Sequence, residues 1–334
     1  MAHQHRSSSP GRLRRLAEEL EEIGFTIDGD EPEHQLVLEE IDHALRPPVH
    51  ERRVPSMGAI LEPGADPDTW ETGTELQILH GPIGEQPLED ARRFADGLSS
   101  WVIRRVTGPD EWCVFDRPAG SERDLVVLST VLDATVVQRH PTGAVRVAGP
   151  FGVLRWDGLS WRLEPPLAGW IDTVQADPAH GDPDVLAALL EFAVHDLGSR
   201  GIGAILVYRP DDGAAPSVEH RLPPPPPLQI RRPTGLAPLR HALHQVDGAA
   251  FFDARGTLTQ LGVRLVPSPE AAGQVDGYRG MRHTSGRRYS FDDPTATVIV
   301  VSEDGPVTVL RGGALLGTSP GGDEPGLSGP WSDQ

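Results

Sequence analysis

PDVLAALLEFAVHDLGSRGIGAILVY, residues 183–208, is the stretch whose reading decides the fold class. PDVLAALLEFAVHDLGSR (183–200) puts apolar side chains at i, i+3, i+4 and i+7, the spacing of an amphipathic helix, and Asp182-Pro183 supplies its start. GIGAILVY (201–208) is a continuous apolar run of buried-strand length. A helix feeding a buried strand is one unit of an α/β layer. Downstream, TGLAPLRHALHQ (234–245) reads as a helix, and DGAAFFD (247–253) and TLTQLGVRLV (257–266) as strands joined through Ala254-Arg255-Gly256. TATVIVVSE (295–303) and VTVLRGG (307–313) are strand-like around Asp304-Gly305. Asp211-Asp212-Gly213 is a turn, and the five prolines at 223–227 form a stiff loop segment. These strands are expected to share one mixed sheet flanked by helices.

Upstream the pattern is shorter. RLRRLAEELEEIGF (12–25) has the period of an amphipathic helix, residues 47–75 read as Pro/Gly/Asp-rich loop, and 88–108 reads as a helix running into a strand. DLVVLSTVL (124–132), ATVVQRH, GAVRVA, FGVLRWDG and LSWRLEPP are strand candidates, with Trp156 and Trp161 packed beside an Asp157-Gly158 hairpin turn. The fold class expected is α/β (α+β): a smaller α+β or mostly β N-terminal domain, then a C-terminal domain on a mixed central sheet. The expected boundaries are a disordered tail over 1–10, a sensor or regulatory domain over 11–175, a linker over 176–183, the C-terminal domain over 184–316 and a disordered tail over 317–334.

Composition narrows the chemistry. The chain has 334 residues, a net charge of -19 and one cysteine, Cys113. A single cysteine leaves no internal disulfide and no Cys-rich zinc site, and EWCVF around it reads as a buried thiol. All thirty basic residues are arginine. Without lysine there is no Walker-type P-loop, Schiff base or lysine general base. The negative charge disfavours broad nucleic-acid or anionic-membrane binding. The apolar runs fall short of the roughly 20 residues that span a bilayer, and the N-terminus lacks a signal-peptide apolar core, so a cytoplasmic protein is expected.

Within this acidic chain, RGMRHTSGRRYS (279–290) carries four arginines and a histidine without one acid. Arg282 can grip phosphate oxygens in bidentate fashion with His283 beside it, Gly280 allows close backbone approach, and Thr284 and Ser285 offer hydroxyls. A solvated basic turn is the plainer alternative. In QVDGAA (245–250), Asp247 stands at the mouth of an apolar strand, followed by the minimal side chains of Gly248 and Ala249. That arrangement suits a metal-held carboxylate beside a ribose or phosphate, or else an ordinary turn. Three other patterns are set aside. Gly317–Gly321 has the spacing of a serine-hydrolase elbow without the helix that must follow. His241 and His244 share a helix face but lack a carboxylate pattern. Gly198, Gly201 and Gly203 run from helix to strand, the reverse of a dinucleotide fingerprint, and read as a helix cap and tight connection.

The two surviving stretches, in this order and spacing, resemble the DisA N-terminal-type diadenylate cyclase domain, over roughly residues 183–313. That family carries a DGA motif at the start of a strand and a later GTRHR motif leading into a helix that ends near a serine. Here Asp247-Gly248-Ala249 matches the first, and Gly280-Met281-Arg282-His283-Thr284, with Ser290 at the later serine, matches the second. Leu265 stands where the family lines its adenine pocket, and Ser302-Glu303 in its closing hairpin. The departures are Met281 for the usual threonine and Thr284 for the second arginine; Arg287 or Arg288 would have to restore that charge.

The resemblance implies condensation of two ATP into cyclic di-AMP with release of two pyrophosphates, at two domains meeting face to face. It assigns Asp247, with Glu303, to a Mg²⁺ or Mn²⁺ ion, and Arg282, His283 and Thr284 to the triphosphate. Gly248, Ala249, Leu265, Gly280, Met281, Ser285, Arg287, Arg288, Ser290 and Ser302 would complete the ATP site. The implied partners are ATP and a second copy in a dimer or higher homo-oligomer; no membrane partner is expected, and the charge disfavours nucleic acid. The alternatives are a catalytically weakened domain that binds ATP or cyclic di-AMP as a sensor, and a purely structural domain.

Overall fold

The computed structural model describes residues 10–49, 54–85, 87–175, 181–211, 213, 216–220, 222–304 and 306–319. The chain divides into two compact units, Met1–Pro166 and Leu167–Gln334. Both are mixed α+β, each built on a mixed sheet. Most of the expected N-terminal tail and linker, and the C-terminal tail from 320, lie outside the described residues.

The first unit runs α1 (Pro10–Glu21), α2 (Pro32–Leu45), β1 (Met57–Leu61), α3 (Trp70–Thr74), β2 (Ile78–Pro82), α4 (Leu88–Arg92), β3 (Ser100–Arg104) and β4 (Glu111–Phe115). It continues through α5 (Glu122–Leu132), β5 (Thr135–Arg139), β6 (Val145–Gly149), β7 (Gly152–Trp156) and β8 (Trp161–Glu164). Its sheet has the order β2-β4-β3-β1-β5-β6-β7-β8, with β1 and β3 parallel. Leu16, Leu20, Leu38 and Ile41 of α1 and α2 cover one face, against Ala59, Val137 and Val147. Trp70 of α3 and Leu125, Leu128 and Leu132 of α5 cover the other, against Ile60, Ile103 and Val136. The Trp156–Trp161 hairpin forms as expected, the indoles facing across β7 and β8 with centroids 5.5 Å apart. Cys113 is buried, and burial pushes its thiol up to about 12.

Two readings of this unit are corrected. DLVVLSTVL is the body of α5, not a strand. The Ser121 hydroxyl accepts from the Asp124 N–H while the Asp124 carboxylate accepts from the Ser121 N–H. This reciprocal cap starts a helix whose leucines then share one face. Residues 47–75 are not all loop either: Met57–Leu61 is the fully buried central strand β1.

The second unit runs α6 (Ala168–Gln175), α7 (Pro183–Glu191), β9 (Ala204–Tyr208), β10 (Val218–Glu219), α8 (Pro233–Gln245), β11 (Ala249–Phe252) and β12 (Leu258–Leu265). It ends with α9 (Pro269–Gln274), α10 (Met281–Asp292), β13 (Thr297–Val301), β14 (Val307–Arg311) and β15 (Ala314–Thr318). α6, placed ahead of the linker by the sequence reading, belongs here, since Leu167 and Val174 enter this unit's core. β15 pairs antiparallel with β14, so residues 317 and 318 are strand rather than tail. After α7 the helix widens into π turns over Phe192–Leu197, tightens over Gly198–Arg200 and ends at Gly201 in the left-handed region, φ +65°. That is the glycine cap expected of this junction.

The sheet order is β10-β12-β11-β9-β13-β14-β15, with β9 and β11 parallel and the other pairs antiparallel. Alternation along each strand sends side chains to opposite faces. Leu206, Ala250, Phe252, Ile299 and Val309 pack against Leu186, Leu189 and Leu190 of α7 and Leu239 and Leu243 of α8. Ile205, Val207, Ala249, Phe251, Val298 and Val300 pack on the other face with Tyr289 of α10. The sheet is therefore the middle of three layers. Each fully buried Leu, Ile or Val contributes about 1.5–3 kcal/mol relative to exposure.

Candidate functional site

Strand register brings part of the sequence-nominated set to one end of the second sheet. Ala249 pairs with Ile205, which sets Asp247 and Gly248 beside the start of β9. Val301 pairs with Ala204, so Ser302 and Glu303 leave β13 at that end. Val263 lies opposite Ala249, and Leu265 at the end of β12 reaches the same edge. α10 begins there too, because Arg282 in its first turn donates from Nη1 to Glu303 Oε1 at 2.8 Å. Asp247, Gly248, Ala249, Leu265, Gly280, Met281, Arg282, Ser302 and Glu303, drawn from four separate segments, thus converge at one end of the sheet.

Their surroundings differ. Asp247 is exposed and its Oδ1 accepts from the Gly248 N–H at 3.1 Å. Leu265 is buried among the apolar side chains under α10. Met281 is 84% exposed. Ser302 is half-buried, and its N–H donates to Pro306 O at 2.9 Å, closing the β13–β14 turn. Gly203, which precedes β9, matters for a reason invisible in the sequence. A Cβ there would overlap Arg282 Nη1 and stand 2.9 Å from its Cζ and from Glu303 Cγ. The Arg282–Glu303 pair occupies the space a side chain at 203 would fill.

Other nominated groups are turned to structural contacts. His283 is buried, with Nε2 3.2 Å from Thr308 Oγ1 and its ring edge-on to Tyr278 at 5.7 Å. Burial, and then the charge of Arg279, lower its pKa, so the ring is neutral near pH 7. The Thr284 hydroxyl accepts from the Tyr278 N–H at 3.0 Å and fastens the loop before α10. Ser285 is half-buried in the same turn. Arg279, at φ +49°, lays its guanidinium over the Tyr278 ring at 5.4 Å.

The expectation that Arg287 or Arg288 replaces the missing motif arginine meets a geometric obstacle. At about 1.5 Å of rise per residue, they lie roughly 4.5–6 Å along the helix beyond Thr284, where that charge is missing. Arg287 Nε donates to Gly313 O at 2.8 Å, in the β14–β15 turn at the far end of the sheet. Arg288 Nε donates to Val275 O at 3.1 Å. Ser290 is also at the far end, accepting from the Gly313 N–H at 3.1 Å and donating to Arg287 O at 2.9 Å. These three residues anchor α10 rather than line the convergent edge.

Among the described residues no group of three or more His, Cys, Asp or Glu is placed to hold a metal. Glu303 is paired with Arg282, while the exposed Asp247 carboxylate contacts the Gly248 N–H. A Mg²⁺-like ion is commonly held by one or two carboxylates plus substrate phosphates, and that donor set fits Asp247 better than a cage made of protein groups alone. Among the described residues no helix is long and apolar enough to cross a membrane.

Comparison with known proteins adds the following. The family model described as "Probable sensor domain DACNK" matches residues 14–164, less than half of the chain and within the first unit. Among solved structures, a hypothetical membrane spanning protein from Bacillus cereus is similar at 19% identity, over 40% of this chain and 67% of that one, with a TM-score of 0.30. A double mutant of DacA from Staphylococcus aureus is similar at 20% identity, over 40% of this chain and 84% of that one, with a TM-score of 0.27. No curated protein matches.

Proposed function

We propose that the second unit is a diadenylate cyclase domain joining two ATP into cyclic di-AMP, and that the first unit regulates it. The observation carrying this reading is the convergence of Asp247-Gly248-Ala249, Leu265 and Arg282 on one sheet edge. Each ribose 3′-oxygen attacks the α-phosphorus of the other ATP. Two new P–O bonds form as the bonds to pyrophosphate break, and two protons leave the hydroxyls. Asp247 holds a divalent cation which, when bound, acidifies the hydroxyl and draws charge from the phosphate. Gly248 lets the ribose approach the backbone, Leu265 lies under the adenine, and Arg282 compensates charge on the triphosphate. One domain supplies half the reacting atoms, so the active species is a dimer or higher oligomer. The sensor description of the family model over 14–164 supports the regulatory assignment.

A second reading, nucleotide binding without turnover, rests on the burial of His283 against Thr308 and on the carbonyl contacts of Arg287 and Arg288. Incubation of the purified chain with ATP and Mn²⁺ or Mg²⁺ separates the two. Cyclic di-AMP that falls by about 100-fold or more in Asp247→Asn is the expected outcome, on the scale of a lost catalytic group. ATP binding with no product supports the second reading, and no binding contradicts both.

A further inference from the structure

We propose that Glu303 is the counter-ion Arg282 exchanges for a nucleotide phosphate, and not a metal ligand, so that it sets the affinity of the site. This rests on the ATP-binding reading above. Glu303 Oε1 and Arg282 Nη1 are 2.8 Å apart, with the guanidinium lodged in the space left by the missing side chain of Gly203. The backbone therefore seats the arginine head, and Glu303 occupies the place an anion would take. Both side chains are solvent-accessible, at 39% and 69%. A pair so exposed is weakly held and readily exchanged. A triphosphate, with more charge and more acceptor oxygens than one carboxylate, displaces Glu303 by swinging it into water. A singly bonded weak anion has less to gain from the exchange, so the pair biases the site toward polyphosphates in an otherwise acidic chain. Ligation of a cation by Glu303 would instead strip Arg282 of the partner it has in this structure.

The test titrates ATP calorimetrically into the full chain and into Glu303→Gln, first in EDTA and then with Mn²⁺. Glu303 is exposed, so the amide leaves folding intact. Glu303→Gln is expected to bind ATP about 3- to 5-fold tighter than the parent in EDTA, the scale of an exposed ion pair. That gain should vanish in the Arg282→Ala background. Parent binding that is unchanged or weakened by Glu303→Gln in EDTA overturns this inference alone, as does a gain that survives Arg282→Ala. A loss confined to Mn²⁺ also overturns it, by making Glu303 a metal ligand. ATP binding by neither protein overturns the inference together with the ATP-binding reading.

Discussion

Gly248 turns the chain with φ +114°, and a Cβ on it would stand 2.8 Å from the carbonyl carbon of Gly262. Both the dihedral and the contact with β12 backbone exclude a side chain. Gly248→Ala should therefore lower the stability of the second unit by about 1–3 kcal/mol, read from its denaturant midpoint. An unchanged midpoint would mean the turn relaxes freely. The need for a small residue after Asp247 was legible in DGAA, because minimal side chains mark close approach. Which backbone approaches was not, since Gly262 belongs to a later strand whose register is set by tertiary pairing. The same limit applies in α10. His283, Gly286, Tyr289 and Ser290 form its buried face, a mostly polar or small set. No apolar stripe announced the helix phase, so Arg282 and His283 both read as phosphate-facing, although one lies on the rim and the other is buried.

Among elements, local signals outperform composition. The reciprocal Ser121–Asp124 cap decides α5, whereas the β-branched content of LVVLSTVL suggested a strand. Ser121→Ala should cost the first unit about 1 kcal/mol, measured by thermal or denaturant unfolding. A variant as stable as the parent would show that leucine packing alone fixes the helix. β1 was missed because it is five residues long between proline-rich flanks, and its burial depends on neighbours on both sides, β3 and β5. By contrast α7, β9, β11 and β13 were legible outright. Their apolar runs are long enough to state their period, and Gly201 marks the junction between α7 and β9. Since Asp247, Gly203 and Glu303 lie at the ends of these strands, the sheet edge of the candidate site was implicit in elements that could be read.

For the whole molecule, the net charge of -19 makes the basic run 279–290 unusual, and the fold disperses it: Arg282 pairs with Glu303 while Arg287 and Arg288 turn to backbone carbonyls elsewhere. The division into two units was suggested by the change from short, turn-rich strands to a helix–strand alternation, but α6 crossed the expected boundary because its core-facing Leu167 and Val174 gave too little pattern to show their side. If two domains complete one reaction, cyclic di-AMP formed per chain should fall as the protein is diluted at saturating ATP. A rate per chain independent of concentration would contradict an association that dissociates in the range tested. The location of the nucleotide is the central claim, and photolabelling with 8-azido-ATP followed by peptide mapping tests it most directly. The account predicts labelled peptides from the edge formed by residues 247–249, 263–265 and 280–282, competed by unlabelled ATP. Competable label confined to the first unit, or none anywhere, would contradict it.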